Sequence, residues 1–390
     1  MPAQFDAIVV GAGPAGSTAA RELAAAGVRV LVLDKAEFPR YKACGGGIPR
    51  RTARLLPFPI DPVVEDEVAL LDISLHGRCR FVRDSGEPFA AMVMRERFDA
   101  LLLDYARRAG AEFRPGAAVR ALELDLAGVT VRTEDGRTAR SALLIAADGA
   151  HSPVGRMAGL GTGLAECAAY EVEVRAPAAR VRANRSTAFI DLGYRPWGYA
   201  WLFPKAEVLS IGIVLPPGQA GEMKSHVAAY LRRLGLDGPP VDIARGHKIR
   251  FRRGREPIAS ERVLLAGDAA GLAGEFTQEG IYYAIESGRI AARAALRSLS
   301  SGAPLQGYQD DIDREIMPEL RAARVIAHMF YGMLGRYPGP WMRATRAIPY
   351  LWDAFFAVQR GESTYAREAA RVPLLPGIAA RRLARQDRAG

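Results

Sequence analysis

Three glycines near the beginning of the chain have the spacing of a phosphate-binding turn. Gly11, Gly13 and Gly16 form a Gly-x-Gly-x-x-Gly pattern directly after a short apolar run. In such a turn the first glycine permits a tight bend, the second lets the backbone approach a pyrophosphate, and the third lets the helix pack closely on the strand. The free N–H groups at the start of the following helix then face the phosphate charge. We therefore predict that these residues bind a dinucleotide.

An acidic residue stands where such a site binds a ribose. Asp34 ends the second apolar run, 23 positions after Gly11. A carboxylate at this position can accept hydrogen bonds from both ribose hydroxyls, whereas its charge disfavours the 2′-phosphate of NADP. NADP is therefore not expected to be the tightly held ligand.

A second nucleotide signal lies some 250 residues further along the chain. The apolar run Arg262–Ala266 ends in Gly267-Asp268, and a helix is predicted from about Gly280 to Leu299. This pattern resembles the second FAD fingerprint of the glutathione-reductase-like flavoproteins, in which the Asp binds the ribityl chain and the helix points its N-terminus at the flavin. Two signals that flank a β-rich segment favour FAD over NAD. Since no second Gly-x-Gly-x-x-Gly is present, NADPH or ferredoxin is expected only as a transient electron donor.

Further motifs resemble those of the geranylgeranyl reductase family, over roughly residues 5–299. They are a loop after the first nucleotide unit, an Arg-x-x-Phe-Asp that opens a helix, an aromatic-x-Trp-x-Phe-Pro-Lys strand and a stretch after the second fingerprint. In this sequence they are Phe38–Pro49, Arg95–Asp99, Tyr199–Lys205 and Gly280–Ala284. The resemblance implies an FAD enzyme that saturates isolated double bonds of prenyl chains, with a prenylated small molecule or lipid as its substrate.

The resemblance also implies where FAD would be bound. Carried over by position, the predicted contacts fall on Ala15, Asp34, Cys44, Gly45, Gly47, Arg95, Val119, Asp268, Gly280 and Ile281. Cys44 would lie near the isoalloxazine, where it could gate the site or donate a proton. A role as a small buried packing residue is at least as compatible with its type.

An isolated alkene has no carbonyl to polarise, so a reductase must orient it in a dry apolar slot. Tyr199, Trp201 and Phe203 alternate along a predicted strand and would form one wall of that slot; the same pattern is also typical of plain core aromatics. We predict Cys44, Tyr199 and Trp201 as catalytic residues. The predicted substrate-binding set is the whole motif, Tyr199, Trp201, Phe203, Pro204 and Lys205. Lys205 would neutralise a phosphate or the flavin, or simply face water.

The elements that must position these residues follow from the periodicity of the chain. Strands Ala7–Val10 and Arg29–Leu33 with the helix Ala15–Ala26 predict a βαβ unit. The fold class is therefore α/β with α+β parts: a discontinuous Rossmann-like FAD-binding domain, an inserted antiparallel β-sheet substrate domain and a C-terminal helical region. We assign 1–60, 95–160 and 255–300 to the first, 61–94 and 161–254 to the second, and 301–390, with a basic tail, to the third.

Composition and the absence of other motifs limit the class of protein. The 390 residues, 49% hydrophobic and 25% charged, are typical of a globular protein of two or three domains. Three cysteines without Cys/His clustering predict neither disulfides nor a metal site. The five histidines form no catalytic or metal-binding pair in sequence and are expected on the surface or in loops. The chain carries no signal peptide pattern and no apolar run near ~20 residues, so we expect a cytoplasmic protein.

The net charge of +10 does not by itself identify the kind of partner that the protein binds. No helix-turn-helix, zinc finger or RNP motif is present, so nucleic acid is not expected. Aromatic and methionine residues beyond position 330, followed by an arginine-rich end, predict a lid over a long apolar substrate or a peripheral contact with anionic lipid. Ordinary core helices with a solvated tail would explain the same features, and a GC-rich genome would explain the arginine content.

Three other functions use related folds. A flavin monooxygenase of an aromatic or lipophilic substrate is the main alternative, whereas a halogenase is disfavoured because Tyr199-x-Trp-x-Phe-Pro replaces the Trp-x-Trp-x-Ile-Pro of that class. A non-catalytic prenyl-binding escort, similar to the Rab GDP-dissociation inhibitors, is disfavoured by the intact glycine turn, Asp34 and Gly267-Asp268.

Overall fold

The computed structural model describes residues 3–194, 197–216 and 218–371. Short strands predominate in the first two thirds of the chain and helices in the last third. The strands are β1 (Ala3–Gln4), β2 (Ala7–Val10), β3 (Val30–Leu33), β4 (Gly47–Pro49), β5 (Val64–Val68), β6 (Leu70–Leu75), β7 (Arg78–Asp84), β8 (Ala90–Val93), β9 (Glu112–Arg114), β10 (Val119–Asp125), β11 (Gly128–Thr133), β12 (Thr138–Ser141), β13 (Leu143–Ala146), β14 (Ala165–Val174), β15 (Thr187–Leu192), β16 (Tyr199–Pro204), β17 (Leu209–Leu215), β18 (Val241–Phe251) and β19 (Val263–Leu265). The helices are α1 (Pro14–Ala25), α2 (Arg50–Ala53), α3 (Arg95–Arg108), α4 (Pro153–Met157), α5 (Ala178–Ala183), α6 (Met223–Leu234), α7 (Ile281–Ser301), α8 (Gly307–Glu315), α9 (Met317–Arg336), α10 (Pro338–Ala347), α11 (Pro349–Arg360) and α12 (Tyr365–Ala370).

A parallel five-stranded sheet has the order β19-β13-β2-β3-β9. Its inner strands are apolar at every position and buried along their whole length, as expected for a parallel sheet covered on both faces. Strands β2 and β3 are parallel neighbours joined through α1, which confirms the predicted βαβ unit to within one residue at each end. The chain thus has the mixed α/β, Rossmann-like fold of FAD-binding flavoproteins.

Two helices lie so close together that only small residues fit between them. A Cβ added to Gly288 of α7 would stand 2.4 Å from the carbonyl oxygen of Ala15 on α1. This contact brings the first turn of α1 next to the segment that follows β19. As a result, the two predicted nucleotide signals are neighbours in space.

A larger sheet of seven strands has the order β18-β14-β17-β16-β15-β6-β7. Its neighbouring strands are antiparallel except for β6 and β15, which are parallel. One face carries side chains of β14, β16, β17 and β18 toward the parallel sheet. Smaller sheets, β1-β12-β11-β10 and β4-β8-β5, complete the β structure.

Helices α8–α12 form the last part of the described chain, within the predicted C-terminal helical region. The apolar sides of α9, α10 and α11 pack against β6, β7 and β15. The predicted basic tail, residues 372–390, lies outside the described residues. Among the described helices, none has the length and apolar character needed to cross a bilayer.

Candidate active site

The first glycine turn is imposed by close packing. Gly11 has φ +100°, and a Cβ there would stand 2.2 Å from the carbonyl oxygen of Ala147. A Cβ on Gly16 would stand 1.8 Å from the carbonyl oxygen of Gly11. Gly13 caps α1 without any side-chain hydrogen bond, and no acidic residue occupies the first turn of this helix. The free N–H groups of α1 therefore remain available to an anion in the adjoining cavity.

Asp34 is held at the end of β3 by two backbone donors. Its Oδ2 accepts a hydrogen bond from the N–H of Ala12 at 2.7 Å, and its Oδ1 accepts one from the N–H of Ala36 at 2.9 Å. The carboxylate is thereby oriented beside the glycine turn, and its residue lines the cavity. Such an oriented carboxylate can accept the two hydroxyls of a ribose.

The second turn meets the first one directly. Gly267 has φ +61°, and a Cβ on it would lie 3.1 Å from Cβ of Ala15. Helix α7 begins at Gly280 without a side-chain cap, and the Cα of Gly280 lies so near Asp268 that an added Cβ would be 3.2 Å from Oδ1. Two uncapped helix N-termini, those of α1 and α7, thus open on the same cavity.

A buried carboxylate ties the loop before β4 to helix α3. Asp99 has no exposed surface and receives Nε and Nη2 of Arg95, each at 2.9 Å. Nη2 of Arg40 lies 2.9 Å from Oδ2 of the same carboxylate. Arg95 and Arg40 both line the cavity, so Asp99 positions two guanidinium groups there. The sequence analysis predicted Arg95 but assigned no role to Arg40.

A cluster of charged groups surrounds Asp268. Nε2 of His247 lies 3.5 Å from Oδ2 of Asp268, and Nζ of Lys42 lies 2.9 Å from Nε2 of His247. Burial alone would raise the pKa of Asp268, but the hydrogen bond from His247 and the positive charges of Lys42 and Arg95 lower it to about 2. Burial also lowers the pKa of Lys42, to about 8, although Asp268 opposes this shift.

The position of His247 corrects the expectation that all histidines lie on the surface or in loops. His247 belongs to β18 and faces the cavity, and burial lowers its pKa despite the hydrogen bond to Asp268. Strand β18 places His247 beside the second turn, at Gly267-Asp268, although His247 and Asp268 lie 21 positions apart in the sequence. The one signal in the sequence that could have indicated this is the alternation of residue types along 241–251, which is typical of a strand with one buried face.

The two turns, Asp34 and the charged side chains around Asp268 line one cavity of about 1320 Å³, while Asp99 is buried behind Arg40 and Arg95. The structure brings together nearly every residue predicted for FAD and three of those predicted for the substrate. The predicted residues in its wall are Gly11, Gly13, Ala15, Asp34, Cys44, Gly45, Gly47, Arg95, Val119, Tyr199, Trp201, Phe203, Asp268, Gly280 and Ile281. Gly16 lies behind the wall, where its small size lets α1 approach the turn.

The aromatic residues of β16 form an apolar part of this wall. The ring centroids of Tyr199 and Trp201 are 6.3 Å apart, as are those of Trp201 and Phe203. The Tyr199 hydroxyl donates to the carbonyl oxygen of Thr277 at 2.7 Å, which fixes its ring. Rings from the loop before α7 and from α9–α11 lie across from them, namely Phe276, Phe330, Tyr331, Trp341, Trp352 and Phe355.

Pro204 and Lys205 lie outside the cavity wall, which disagrees with the prediction that they bind substrate. Lys205 is 1% exposed, and its Nζ lies 3.1 Å from Oε1 of the equally buried Glu173. The ammonium group is therefore already neutralised inside the protein and is not directed at a ligand. Side chains of the aromatic motif alternate between the two sides of β16. The side chain of Phe203 therefore faces the cavity, and that of Pro204 points away.

The residues at the turns fit FAD. Two uncapped helix N-termini provide free N–H groups for a pyrophosphate, and Asp34 provides acceptors for a ribose. Burial lowers the pKa of Lys42 although Asp268 lies nearby, as expected for a cation in a poorly solvated site. Bound phosphate oxygens would add negative charge beside it.

Comparisons with known proteins agree with this geometry. The FAD binding domain family model matches residues 4–274. Geranylgeranyl diphosphate reductase of Rhodobacter capsulatus is 36% identical over 309 residues, which are 77% of this chain and 77% of that protein. Digeranylgeranylglycerophospholipid reductase 1 of Methanopyrus kandleri is 32% identical over 349 residues, 84% of this chain and 90% of that protein.

A solved structure shares the fold. The geranylgeranyl bacteriochlorophyll reductase-like protein from Thermoplasma acidophilum superposes with a TM-score of 0.76 at 24% identity, over 86% of this chain and 91% of that one. The family model spans both nucleotide turns, and the two curated relatives exceed 30% identity over most of their length. The chain therefore belongs to the geranylgeranyl reductase family of FAD-dependent oxidoreductases.

Proposed function

We propose that this protein is a flavin-dependent reductase that saturates isolated C=C bonds in a prenyl chain of the geranylgeranyl type. The observation that carries the proposal is the continuity of one cavity, whose wall includes both nucleotide turns and the aromatic residues of β16 and α9–α11. A flavin held at the turns would share this space with an apolar chain. The two curated relatives are named as reductases of geranylgeranyl diphosphate and of digeranylgeranylglycerophospholipid, which supports a prenylated substrate.

In this proposal the turns hold FAD, which when bound and reduced supplies a hydride equivalent. Asp34 accepts the ribose hydroxyls, and Lys42, Arg40 and the N-terminus of α1 neutralise phosphate charge. Asp268 and the N-terminus of α7 bind the flavin half of the molecule. The remaining cavity residues of the predicted set would complete the site, namely Cys44, Gly45, Gly47, Arg95, Val119 and Ile281.

The apolar wall orients the alkene and excludes water. Tyr199 is held by its hydrogen bond to Thr277, and Trp201 and Phe203 pack on Gly45, so this surface is rigid. Since the alkene offers no polar group, shape and dispersion contacts with such rings must place it for reaction. We accordingly assign substrate binding to residues 61–94 and 161–254, FAD binding to 1–60, 95–160 and 255–300, and closure of the apolar side to the helices from 301 onward.

Electrons would reach the site from a transient donor, NADPH or ferredoxin. The described chain has one glycine turn of the dinucleotide type, at Gly11, and this turn belongs to the proposed FAD site. Flavin reduction measured under anaerobic conditions with NADPH, or with reduced ferredoxin, would distinguish the two donors. Reduction of the flavin by one donor and not the other identifies it.

We also propose a peripheral contact with anionic lipid at the junction of α10 and α11. Residues 346–351 are all exposed, and Tyr350 and Leu351 also line the cavity, so an apolar chain could pass from a bilayer into it. Arg343 and Arg346 flank this segment. We expect Leu351→Asp to reduce sedimentation with phosphatidylglycerol vesicles, whereas Leu126→Asp, at a residue 97% exposed, serves as the control. Equal binding of both variants and the wild type contradicts the contact.

The proposed reaction is tested directly by product mass. The purified protein is reduced anaerobically with dithionite and mixed with geranylgeranyl diphosphate or a geranylgeranyl-tailed lipid. We expect products that have gained pairs of hydrogen atoms. Oxygen uptake with NADPH and an oxygenated product would instead indicate a monooxygenase, and an unchanged substrate in both assays would contradict both functions.

A further inference from the structure

Two buried carboxyl groups on β14 have different partners. Glu171 and Glu173 are 2% and 3% exposed and lie two positions apart, on the same side of the strand. The single buried lysine of this region, Lys205, pairs with Glu173. Glu171 forms no ion pair with any described residue, and only Glu171 of the two lines the cavity.

The two oxygens of Glu171 are also unequal. Oε1 accepts a hydrogen bond from the hydroxyl of Ser210 on β17 at 2.7 Å. Oε2 is buried and has no side-chain or backbone partner within hydrogen-bond distance among the described residues, although the N–H of Cys44 is directed toward the same carboxyl group. A buried polar atom without a partner is costly, and protonation of the carboxyl group reduces this cost.

The surroundings of Glu171 favour its neutral form. Burial raises its pKa and the negative charge of Glu173 adds to this effect, while Lys205 and the Ser210 hydroxyl oppose it. Its cross-strand neighbour on β18, Arg245, is exposed and makes no ion pair with it. The hydroxyl of Tyr41, from the loop before β4, is another titratable group beside it, and burial together with both carboxylates raises the pKa of Tyr41. The thiol of Cys44, whose N–H is directed at Glu171, is a further one.

Reduction of an alkene needs a proton as well as a hydride. Among the groups in the wall, the Tyr199 hydroxyl already donates to Thr277, so its proton is engaged. Trp201 Nε1 is buried without a partner but is not an acid. Gly45 lies against Trp201 and Phe203, and it follows Cys44, whose N–H points at Glu171. The carboxyl group of Glu171 therefore lies close to the aromatic wall of the cavity.

We propose that Glu171, in its protonated form, is the proton donor of alkene reduction, an assignment that rests on the proposed function. The π bond of the alkene breaks, one carbon receives a hydride from reduced flavin, and the other forms a C–H bond with the proton held at Oε2. The O–H bond of the carboxyl group breaks, and the resulting carboxylate regains a proton from water before the next reaction. Ser210 is a positioning residue, because its hydroxyl holds Oε1 of the carboxyl group.

The first test does not depend on activity. In the infrared spectrum at neutral pH, the protein is expected to show the C=O stretch of a protonated buried carboxyl, and Glu171→Gln is expected to lose it. Glu166→Gln is the matched control, since this partly exposed carboxylate of the same strand pairs with Lys248 and its removal should leave the band in place. A wild-type spectrum without the band, or a band that persists in Glu171→Gln, overturns the proposal.

The second test separates proton delivery from flavin chemistry. Glu171→Gln should bind FAD and be reduced by dithionite as the wild type is, but reduce a geranylgeranyl chain about 10²- to 10⁴-fold more slowly, the usual contribution of general acid catalysis. Glu171→Asp, which keeps the carboxyl group, should recover part of the rate. A full rate in Glu171→Gln overturns the assignment alone, whereas a wild type that reduces no prenyl chain overturns the proposed function and the proton donor with it.

Discussion

Nε2 of His247 lies 3.5 Å from Oδ2 of Asp268, so the seven-stranded sheet contributes an imidazole to the turn that follows the parallel sheet. Lys42 completes this cluster from a third part of the chain, with its Nζ 2.9 Å from Nε2 of His247. In this poorly solvated site, the protonation state of each of the three groups depends on the charges of the other two. Substitution of any one of them should therefore change how the site responds to pH.

The pH dependence of stability should report His247. Burial lowers its pKa in the folded protein below the ordinary value of 6.5, so below that pH the unfolded chain binds a proton that the native protein does not. Stability from this residue is thus present above pH 6.5 and is lost as the pH falls, with a slope of at most about 1.4 kcal/mol per pH unit. Urea unfolding between about pH 5 and 8 should show this loss in the wild type and a smaller one in His247→Gln. The exposed His151, changed to Gln, serves as the control, and identical curves for His247→Gln and the wild type would contradict the prediction.

The glycine turn should not tolerate a methyl group at its third glycine. In Gly16→Ala the new Cβ would stand 1.8 Å from the carbonyl oxygen of Gly11, a backbone atom that cannot move aside. We expect a loss of about 3 kcal/mol or more in unfolding free energy, or no folded protein, as for severe overpacking. Gly332→Ala is the matched control, because no atom lies within 4 Å of its Cβ position in α9. There alanine should stabilise the helix by up to about 1 kcal/mol. Equal urea midpoints for the two variants would refute this explanation.

Two glycines of the loop before β4 should respond differently to alanine. A Cβ on Gly45 would lie 2.8 Å from Cδ2 of Phe203 and 3.0 Å from Nε1 of Trp201, whereas a Cβ on Gly47 has its nearest neighbour at 3.7 Å. Gly45→Ala must therefore displace the aromatic wall, and we expect a cost of about 1–3 kcal/mol. Near-ultraviolet circular dichroism and urea unfolding of the flavin-free protein should detect this change. Gly47→Ala should leave both signals near those of the wild type, and a larger effect at Gly47 than at Gly45 would show that the packing argument is wrong.

Arg51 should be required for stability. Its side chain is 6% exposed, with Nη2 2.5 Å from Oε2 of Glu279 and Cζ 4.4 Å from the ring centroid of Tyr282. Arg51→Met leaves the carboxylate of Glu279 buried without its cation, although the Thr52 hydroxyl stays 3.4 Å from Oε1, and this should cost about 3–5 kcal/mol. Arg255→Met removes an ion pair with Asp310 whose side chains are both 71% exposed, and should cost at most about 1 kcal/mol.

A second variant tests whether the loss in Arg51→Met comes from the unpaired carboxylate. The double substitution Arg51→Met with Glu279→Gln removes that charge and should recover part of the lost stability. Thermal or urea unfolding of the four proteins measures the difference. If the double variant is no more stable than Arg51→Met, packing of the arginine against the tyrosines is the larger effect.

The local elements and the two nucleotide turns could be predicted from the sequence because short-range rules govern them. Apolar runs bounded by glycines gave β2, α1 and β3 to within a residue, and the spacing of Gly11, Gly13 and Gly16 indicated a turn that only glycine can form. The aromatic face of β16 followed from period-2 alternation. Each of these features depends on neighbours within one strand or one helix.

The tertiary structure alone decided which charges meet. Lys42, His247 and Asp268 come from three distant segments, and no sequence period relates them. Lys205 ends the aromatic motif, yet Glu173 on another strand neutralises it, which leaves Glu171 in the cavity wall without an ion pair among the described residues. The sheet order sets these pairings, and electrostatic interactions fall off with distance in space rather than with separation along the chain. The sequence of this protein therefore determined where its nucleotide turns and aromatic strand lie, while the protonation and pairing of its polar groups depended on the packing of the two sheets.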